Sequence, residues 1–250
     1  MSGQRLVVVH PDAQVLAQAA AARLLTRVLD LQSVHSPVHL VLTGGTVGIA
    51  MLAAVATNPV RDAVDWSGVH LWWGDERFLP DGDPDRNETQ ARRALLDHLT
   101  TLPAENVHPM PAADGTLTVE AAAERYAGEL AAFAPEGEQA PVFDVTLLGM
   151  GPDAHVASLF PGHPALEVTG VTTVGVRSSP KPPPERVSLT VETIQASREV
   201  WIVAAGAEKA QAVADGLAGD PAAPVSAAVG TAVTLWLLDS AAAAQDVTLA

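Results

Sequence analysis

Residues 38–56 read VHLVLTGGTVGIAMLAAVA. The β-rich run Val38–Leu42 stops at Thr43-Gly44-Gly45-Thr46, and an Ala-rich stretch follows through Ala56. A short apolar run, a glycine turn and a periodic stretch predict strand, loop and helix in that order. The same alternation recurs on both sides. Strands are expected at Leu6–His10, Val69–Trp73, Phe143–Leu148, Val171–Val176, Arg186–Val191, Val200–Ala204 and Val233–Leu238. Helices are expected at Ala13–Leu31, Glu88–Leu99 with Asn87 as its cap, Val119–Phe133 and Glu208–Leu217. Strands alternating with helices imply right-handed βαβ units and a mostly parallel sheet. The expected fold is therefore an α/β wound sheet with helices on both faces, a Rossmann-like three-layer arrangement, forming one domain over residues 1–250. The tail 241–250 is expected to be weakly structured.

Composition agrees with such a fold. The chain has 250 residues, 48% of them hydrophobic, and its mean hydropathy is +0.20. That is ample for a large core and excludes global disorder. The formal net charge is −15, which argues against nucleic acid and anionic membranes as partners, because both demand a basic footprint. With no cysteine, disulfides, thiolate nucleophiles and Cys-based zinc sites are excluded. The N-terminus carries only a four-residue apolar run and predicts no secretory leader. No apolar stretch is long enough to predict a transmembrane helix. A cytoplasmic location is the expectation. Only two lysines occur, Lys181 and Lys209, so an anionic ligand depends on a few well-placed cations.

Ligands of wound sheets bind beyond the carboxyl ends of the strands. Three polar motifs fall there: TGGT at 43–46, GDER at 74–77 and GMGPDAH at 149–155. Gly44, Gly45 and Thr46 could cradle an anion at a helix N-terminus, or form an ordinary turn. The loop is neither a Walker loop nor a GxGxxG dinucleotide loop. Asp75 and Arg77 alternate along an extended segment and share a side. They suit a clamp on a polar ligand, or a solvated ion pair. Asp153 and His155 sit two apart at a strand end. Histidine has an unperturbed pKa of about 6.5 and suits a general base, or a satisfied structural role. The other histidines are scattered without helical pairing, which gives a metal site little support. Ser158 lacks a GxSxG elbow, which disfavours a serine hydrolase. Arg186 begins a strand, and Lys209 lies in the first turn of a helix, where a cation is unfavourable unless an anion faces it.

Five ordered blocks carry a resemblance: TGGT at 43–46, WWGDERFLPDGDPDRN at 72–87, FDVTLLGMGPDAHVASLFPG at 143–162, SPKPPPERVSLT at 179–190 and GAEKAQAV at 206–213. With them the chain resembles the 6-phosphogluconolactonase branch of the glucosamine-6-phosphate isomerase/6-phosphogluconolactonase superfamily. The resemblance implies hydrolysis of a sugar-phosphate lactone in the oxidative pentose phosphate pathway, without a cofactor, by a monomer or weak homo-oligomer. It assigns His155 as general base, with Asp75 and Asp153 in support. Gly44, Gly45, Thr46, Arg77, Arg186 and Lys209 are assigned to substrate binding. The deaminase branch has a glutamate where Phe160 stands, which favours lactone hydrolysis over amine release. A non-catalytic sugar-phosphate sensor is the alternative from another class, but those relatives carry a DNA-binding module. One departure stands out: Ala154 replaces the usual glycine before the histidine. If its φ is positive, alanine costs about 1 kcal/mol there.

Overall fold

The computed structural model describes residues 3–245. Strand β1 (Gln4–His10) leads into helix α1 (Ala13–Gln32), whose first turn is capped by Asp12 accepting from the Val15 N–H at 2.8 Å. In α1 the buried residues Leu16, Ala20, Leu24, Val28 and Leu31 recur every three or four positions, the stripe a helix needs to lie on a sheet. Each fully buried leucine there is worth about 2 kcal/mol of transfer free energy. Strand β2 (Val38–Leu42) and helix α2 (Thr46–Thr57) form the first strand–loop–helix unit of the site. Then come β3 (Val69–Trp73), β4 (Asp75–Arg77), α3 (Asn87–Ala94) and α4 (Val119–Ala132). After these follow β5 (Val145–Gly149), β6 (Thr173–Val176), β7 (Arg186–Leu189), α5 (Val191–Gln195), β8 (Glu199–Ala204), α6 (Ala210–Ala218) and β9 (Val233–Asp239).

Six strands form one sheet in the order β1-β9-β8-β5-β2-β3, with every pair parallel. Central strands β2 and β8 are buried along their whole length, whereas edge strand β1 is largely open. The expected α/β class and mostly parallel sheet are therefore present. From β2 the chain moves outward to β3, while β5 joins on the other side and leads toward β8 and β9. The order reverses between β2 and β5, and such a reversal opens a crevice at the carboxyl ends of the two strands.

Several expected elements differ. The strands foreseen at 171–176 and 186–191 do not join the parallel sheet. They pair antiparallel with each other, and β7 also pairs antiparallel with β4, in a separate three-stranded sheet, β4-β7-β6. Asp75–Arg77 of GDER are extended, as their alternation implied, and form β4 of this second sheet. Gly74 links the two sheets, donating to the Leu42 carbonyl at 3.1 Å and accepting from the Leu189 N–H at 2.9 Å. Asn87 is the first helical residue of α3, not its cap, and the helix ends at Ala94 before a short turn at Leu96–His98. The physical reason is Glu76, whose buried carboxylate accepts from the Asn87 and Glu88 N–H groups at 2.7 and 2.9 Å. A residue of β4 caps the helix, freeing the Asn87 side chain. Lys209 lies in the turn Ala207–Lys209 that precedes α6. Of the tail, Ala242 is buried, and its N–H donates to Asp239 at 2.8 Å; residues 246–250 lie outside the described residues. No helix among the described residues is long and apolar enough to cross a membrane.

Candidate active site

The loops after β2 and β5 meet at the crevice. The Thr43 hydroxyl accepts from the Gly149 N–H at 3.0 Å, tying the two strand ends together. That bond occupies the hydroxyl between strands. Gly45 adopts φ +80° just before α2, a left-handed conformation that favours glycine. Gly44 is required for space, since a Cβ there would lie 1.9 Å from Asn87 Oδ1. Around these glycines opens a cleft of about 640 Å³. Gly44, Gly45, Thr46, Asp75, Arg77, His155, Arg186 and Lys209 all line it, so the topology gathers these expected residues. Asp153 stands behind, touching the cleft through His155.

His155 is the centre of one wall. Its Nδ1 lies 2.6 Å from Asp153 Oδ1, and Lys181 Nζ lies 3.0 Å from the same oxygen. A contact that short between ring nitrogen and carboxylate requires a proton between them. Nδ1–H therefore donates to Asp153, which leaves the Nε2 lone pair free. Burial of Asp153 would raise its pKa, but the hydrogen bonds from His155 and Lys181 outweigh that and hold it at about 2. Burial lowers the His155 pKa below its usual value; Asp153 and Asp75 oppose the shift, Lys181 adds to it, and burial prevails. The imidazole is thus neutral near pH 7 and backed by a carboxylate. Its ring rests against Phe160, 4.5 Å between centroids.

The loop that presents His155 is strained. Ala154 has φ 63° and Ala157 has φ 48°. The departure from glycine at Ala154 therefore falls where it costs most. Hydrogen bonds hold the turn: Gly151 N–H to the His155 carbonyl at 2.9 Å, and Ala154 N–H to the Gly151 carbonyl at 3.0 Å.

Opposite lies a second polar group. Asp75 is buried and accepts from the Ser158 hydroxyl at 2.7 Å. Asn87 Nδ2 donates to the Asp75 carbonyl at 2.9 Å. Arg186 Nη1 stands 4.0 Å from Asp75 Oδ2, and its guanidinium carbon lies 5.7 Å from the Phe160 ring centroid. Burial lowers the Arg186 pKa, against the pull of Asp75, yet an arginine stays charged at neutral pH. Arg77 donates through Nη1 to the Asp85 carbonyl at 2.6 Å rather than to Asp75. Burial also lowers the Lys209 pKa, and Lys181 adds to the effect while Glu208 opposes it. Four cations, Arg77, Lys181, Arg186 and Lys209, thus line the cleft alongside the carboxylates Asp75, Glu208 and Asp239, inside a chain of net charge −15. Among the described residues no group of three or more His, Asp or Glu side chains is arranged to hold a metal ion.

Three participants were not expected from their positions. Lys181 was conspicuous only because lysine is rare in this chain. Asn87 reads from sequence as a helix cap. Ser158, which the sequence disfavours as a nucleophile, is fully buried and spends its hydrogen on Asp75.

The model of the family described as glucosamine-6-phosphate isomerases/6-phosphogluconolactonase matches residues 11–236. A 6-phosphogluconolactonase of Streptomyces coelicolor is 57% identical over 98% of this chain and 96% of its own length. One from Mycobacterium leprae is 49% identical, over 96% of this chain and 97% of its own. The solved 6-phosphogluconolactonase of Trypanosoma brucei is similar to this chain with a TM-score of 0.83 at 29% identity, covering 98% of this chain and 100% of that one.

Proposed function

Because the chain belongs to the glucosamine-6-phosphate isomerase/6-phosphogluconolactonase family, we propose that it hydrolyses 6-phospho-D-glucono-1,5-lactone to 6-phosphogluconate in the oxidative pentose phosphate pathway, with His155 as general base. The observation that carries this reading is the 2.6 Å contact between His155 Nδ1 and Asp153, which leaves a neutral imidazole with Nε2 unspent beside a cleft that four cations line.

In this mechanism Nε2 takes a proton from water while the water oxygen bonds to the lactone C1. The carbonyl electrons move onto oxygen as a tetrahedral oxyanion, which nearby N–H groups or a cation stabilise. The oxyanion collapses, the C1–ring oxygen bond breaks, and the imidazolium returns its proton to the departing oxygen. The acid product then ionises. Asp153 keeps Nδ1 protonated and stabilises the transient imidazolium, as the carboxylate of a serine-protease triad does. Gly44, Gly45, Thr46, Arg77, Arg186 and Lys209 hold the phosphate and the sugar, which supplies positioning rather than chemistry. Asp75, fixed by Ser158 and Asn87, orients Arg186 across the cleft. Phe160 offers no acid–base group where amine release would call for one.

The test is acid release from freshly generated 6-phosphogluconolactone at controlled pH, with the spontaneous opening subtracted. Release faster than the background supports the reading. Saturable binding of 6-phosphogluconate without any acceleration would overturn it in favour of a sensor.

A further inference from the structure

Lys181 is one of two lysines in the chain, and it follows Ser179 and Pro180 in a segment rich in proline, SSPKPPPE. Its backbone is held from several sides. Ser179 Oγ donates to the Lys181 carbonyl at 2.9 Å. Arg186 Nη2 donates to the Lys181 and Pro182 carbonyls at 3.2 and 3.0 Å, and Arg186 Nε donates to the Pro183 carbonyl at 3.2 Å. The proline rings fix φ along the same stretch. So a segment 28 residues beyond Asp153 in sequence delivers one ammonium group to one carboxylate oxygen, at 3.0 Å.

That oxygen is the one His155 uses. Asp153 Oδ1 accepts from both Nδ1–H and Nζ, and Lys181 Nζ stands 3.2 Å from Nδ1 itself. Both nitrogens carry their hydrogens toward Asp153, so the ammonium and the ring are neighbours without bonding each other. The Lys181 side chain is 39% exposed, and an ion pair so open contributes only about 0–1 kcal/mol to folding. Stability alone is therefore a poor account of so well-held a lysine.

We propose that Lys181 is a positioning residue for His155, acting through Asp153: it pins the carboxylate that fixes the imidazole and sets a positive charge against protonation of the ring. This rests on His155 acting as the base in lactone hydrolysis. Removing the ammonium leaves Asp153 free to move and its charge unshared beside His155. Two effects then follow. The imidazole loses its fixed orientation, which lowers turnover. The imidazolium loses a repelling neighbour, which raises the His155 pKa. The other charged group acting on the ring is Asp75 on β4, which favours the imidazolium; Lys209 couples to Lys181 and Asp153. Phe160 packs on the ring without charge.

The experiment compares wild type, Lys181→Met and Lys181→Arg, reading two quantities. One is the His155 imidazole titration by NMR, its signal assigned by loss in His155→Asn. The other is kcat and KM for lactone opening across pH. In Lys181→Met the titration midpoint and the acid limb of kcat/KM move to higher pH. kcat falls about tenfold, part of the about 10²–10⁴-fold that a positioned base contributes, while KM stays within about twofold of wild type. Lys181→Arg restores the midpoint. The proposal is overturned if the midpoint is unmoved or falls, or if KM alone rises, since Lys181 is then a substrate ligand. Should wild type open no lactone, the functional reading fails while the titration still decides whether Lys181 governs His155.

Discussion

Gly151 and His155 share a space that admits no Cβ: one built on Gly151 would lie 2.0 Å from His155 Nδ1 and 2.3 Å from Asp153 Oδ1. The pair His155–Asp153 packs directly on the Gly151 backbone, and Gly151 N–H bonds back to the His155 carbonyl. Gly151→Ala therefore pushes the imidazole off its carboxylate. Turnover should fall at least about tenfold, since an ångström of misplacement can cost about a hundredfold. Steady-state kinetics alongside a thermal melt checks this. Near-normal kcat in a folded Gly151→Ala protein would show that the contact is unimportant.

Ala154 bears on the same turn from the other side. At φ 63° an alanine pays for the left-handed region, where glycine does not. Ala154→Gly relieves that cost but gives the unfolded chain more freedom, worth about 0.4–1 kcal/mol in the opposite direction. The strain is the larger of the two, so the variant should melt at the same temperature or a few degrees higher. A clearly lower melting temperature would mean that the alanine methyl, which is buried, contributes packing that outweighs the strain.

At the far end of β2 and β3 a buried cluster makes its own prediction. His39 and His70 are register partners with ring centroids 5.1 Å apart, His70 Nδ1 lies 2.9 Å from His108 Nε2, and His39 Nδ1 accepts from Trp72 Nε1 at 3.1 Å. Burial, with His70, His108 and His35 adding to it, lowers the His39 pKa to about 4. Between about 6.5 and about 4 the unfolded chain holds a proton at this site that the folded chain lacks. Its stabilising contribution is thus complete above about pH 6.5 and is lost as the pH falls through that window, by at most about 1.4 kcal/mol per pH unit. Glu76 acts oppositely: burial pushes it up to about 7, against Arg86 and three backbone N–H groups, so its contribution declines as pH rises from about 4.5 to about 7. His39→Gln keeps an acceptor for Trp72 and isolates the histidine. Because Glu76 works against it over nearly the same range, the quantity to read is the unfolding free energy in urea at pH 7 minus that at pH 5: it should be shifted downward in the variant relative to wild type, and an unchanged difference would contradict this assignment.

The residues that were legible in sequence share a physical reason. Strands β2 and β3 match their expected limits at Val38–Leu42 and Val69–Trp73, because each is a short β-rich run, apolar apart from His39 or His70, that ends at a glycine-containing turn. Asp153 and His155 could be paired because they lie two residues apart at a strand end. What stayed hidden was set by contacts between distant segments. The strand DER at 75–77 is polar and three residues long, and only its pairing with Arg186–Leu189 makes it a strand. Asn87 reads as the cap of its own helix because no local signal says that Glu76 caps that helix from another element. Lys181 reaches Asp153 from within a proline-rich segment 28 residues further along, so its spacing in the chain carries no hint of the contact.

The acid limb of the pH–rate profile offers a further check. Burial lowers the His155 pKa, so the base stays deprotonated to lower pH than a free imidazole would. The midpoint of the acid limb of kcat/KM should therefore lie below the free-imidazole value of about 6.5. Asp153→Asn removes the opposing carboxylate and should move the limb lower still while reducing kcat. An acid limb lying above about pH 6.5 in wild type would mean that a different group titrates.

The most direct measurement is lactone opening by His155→Ala against wild type, at pH 7 with the spontaneous rate subtracted and binding of 6-phosphogluconate measured on both. The general-base reading predicts that kcat falls by about 10²-fold or more, while the ligand binds within a few-fold of wild type through Gly44, Gly45, Arg186 and Lys209. Turnover that persists in His155→Ala would contradict it.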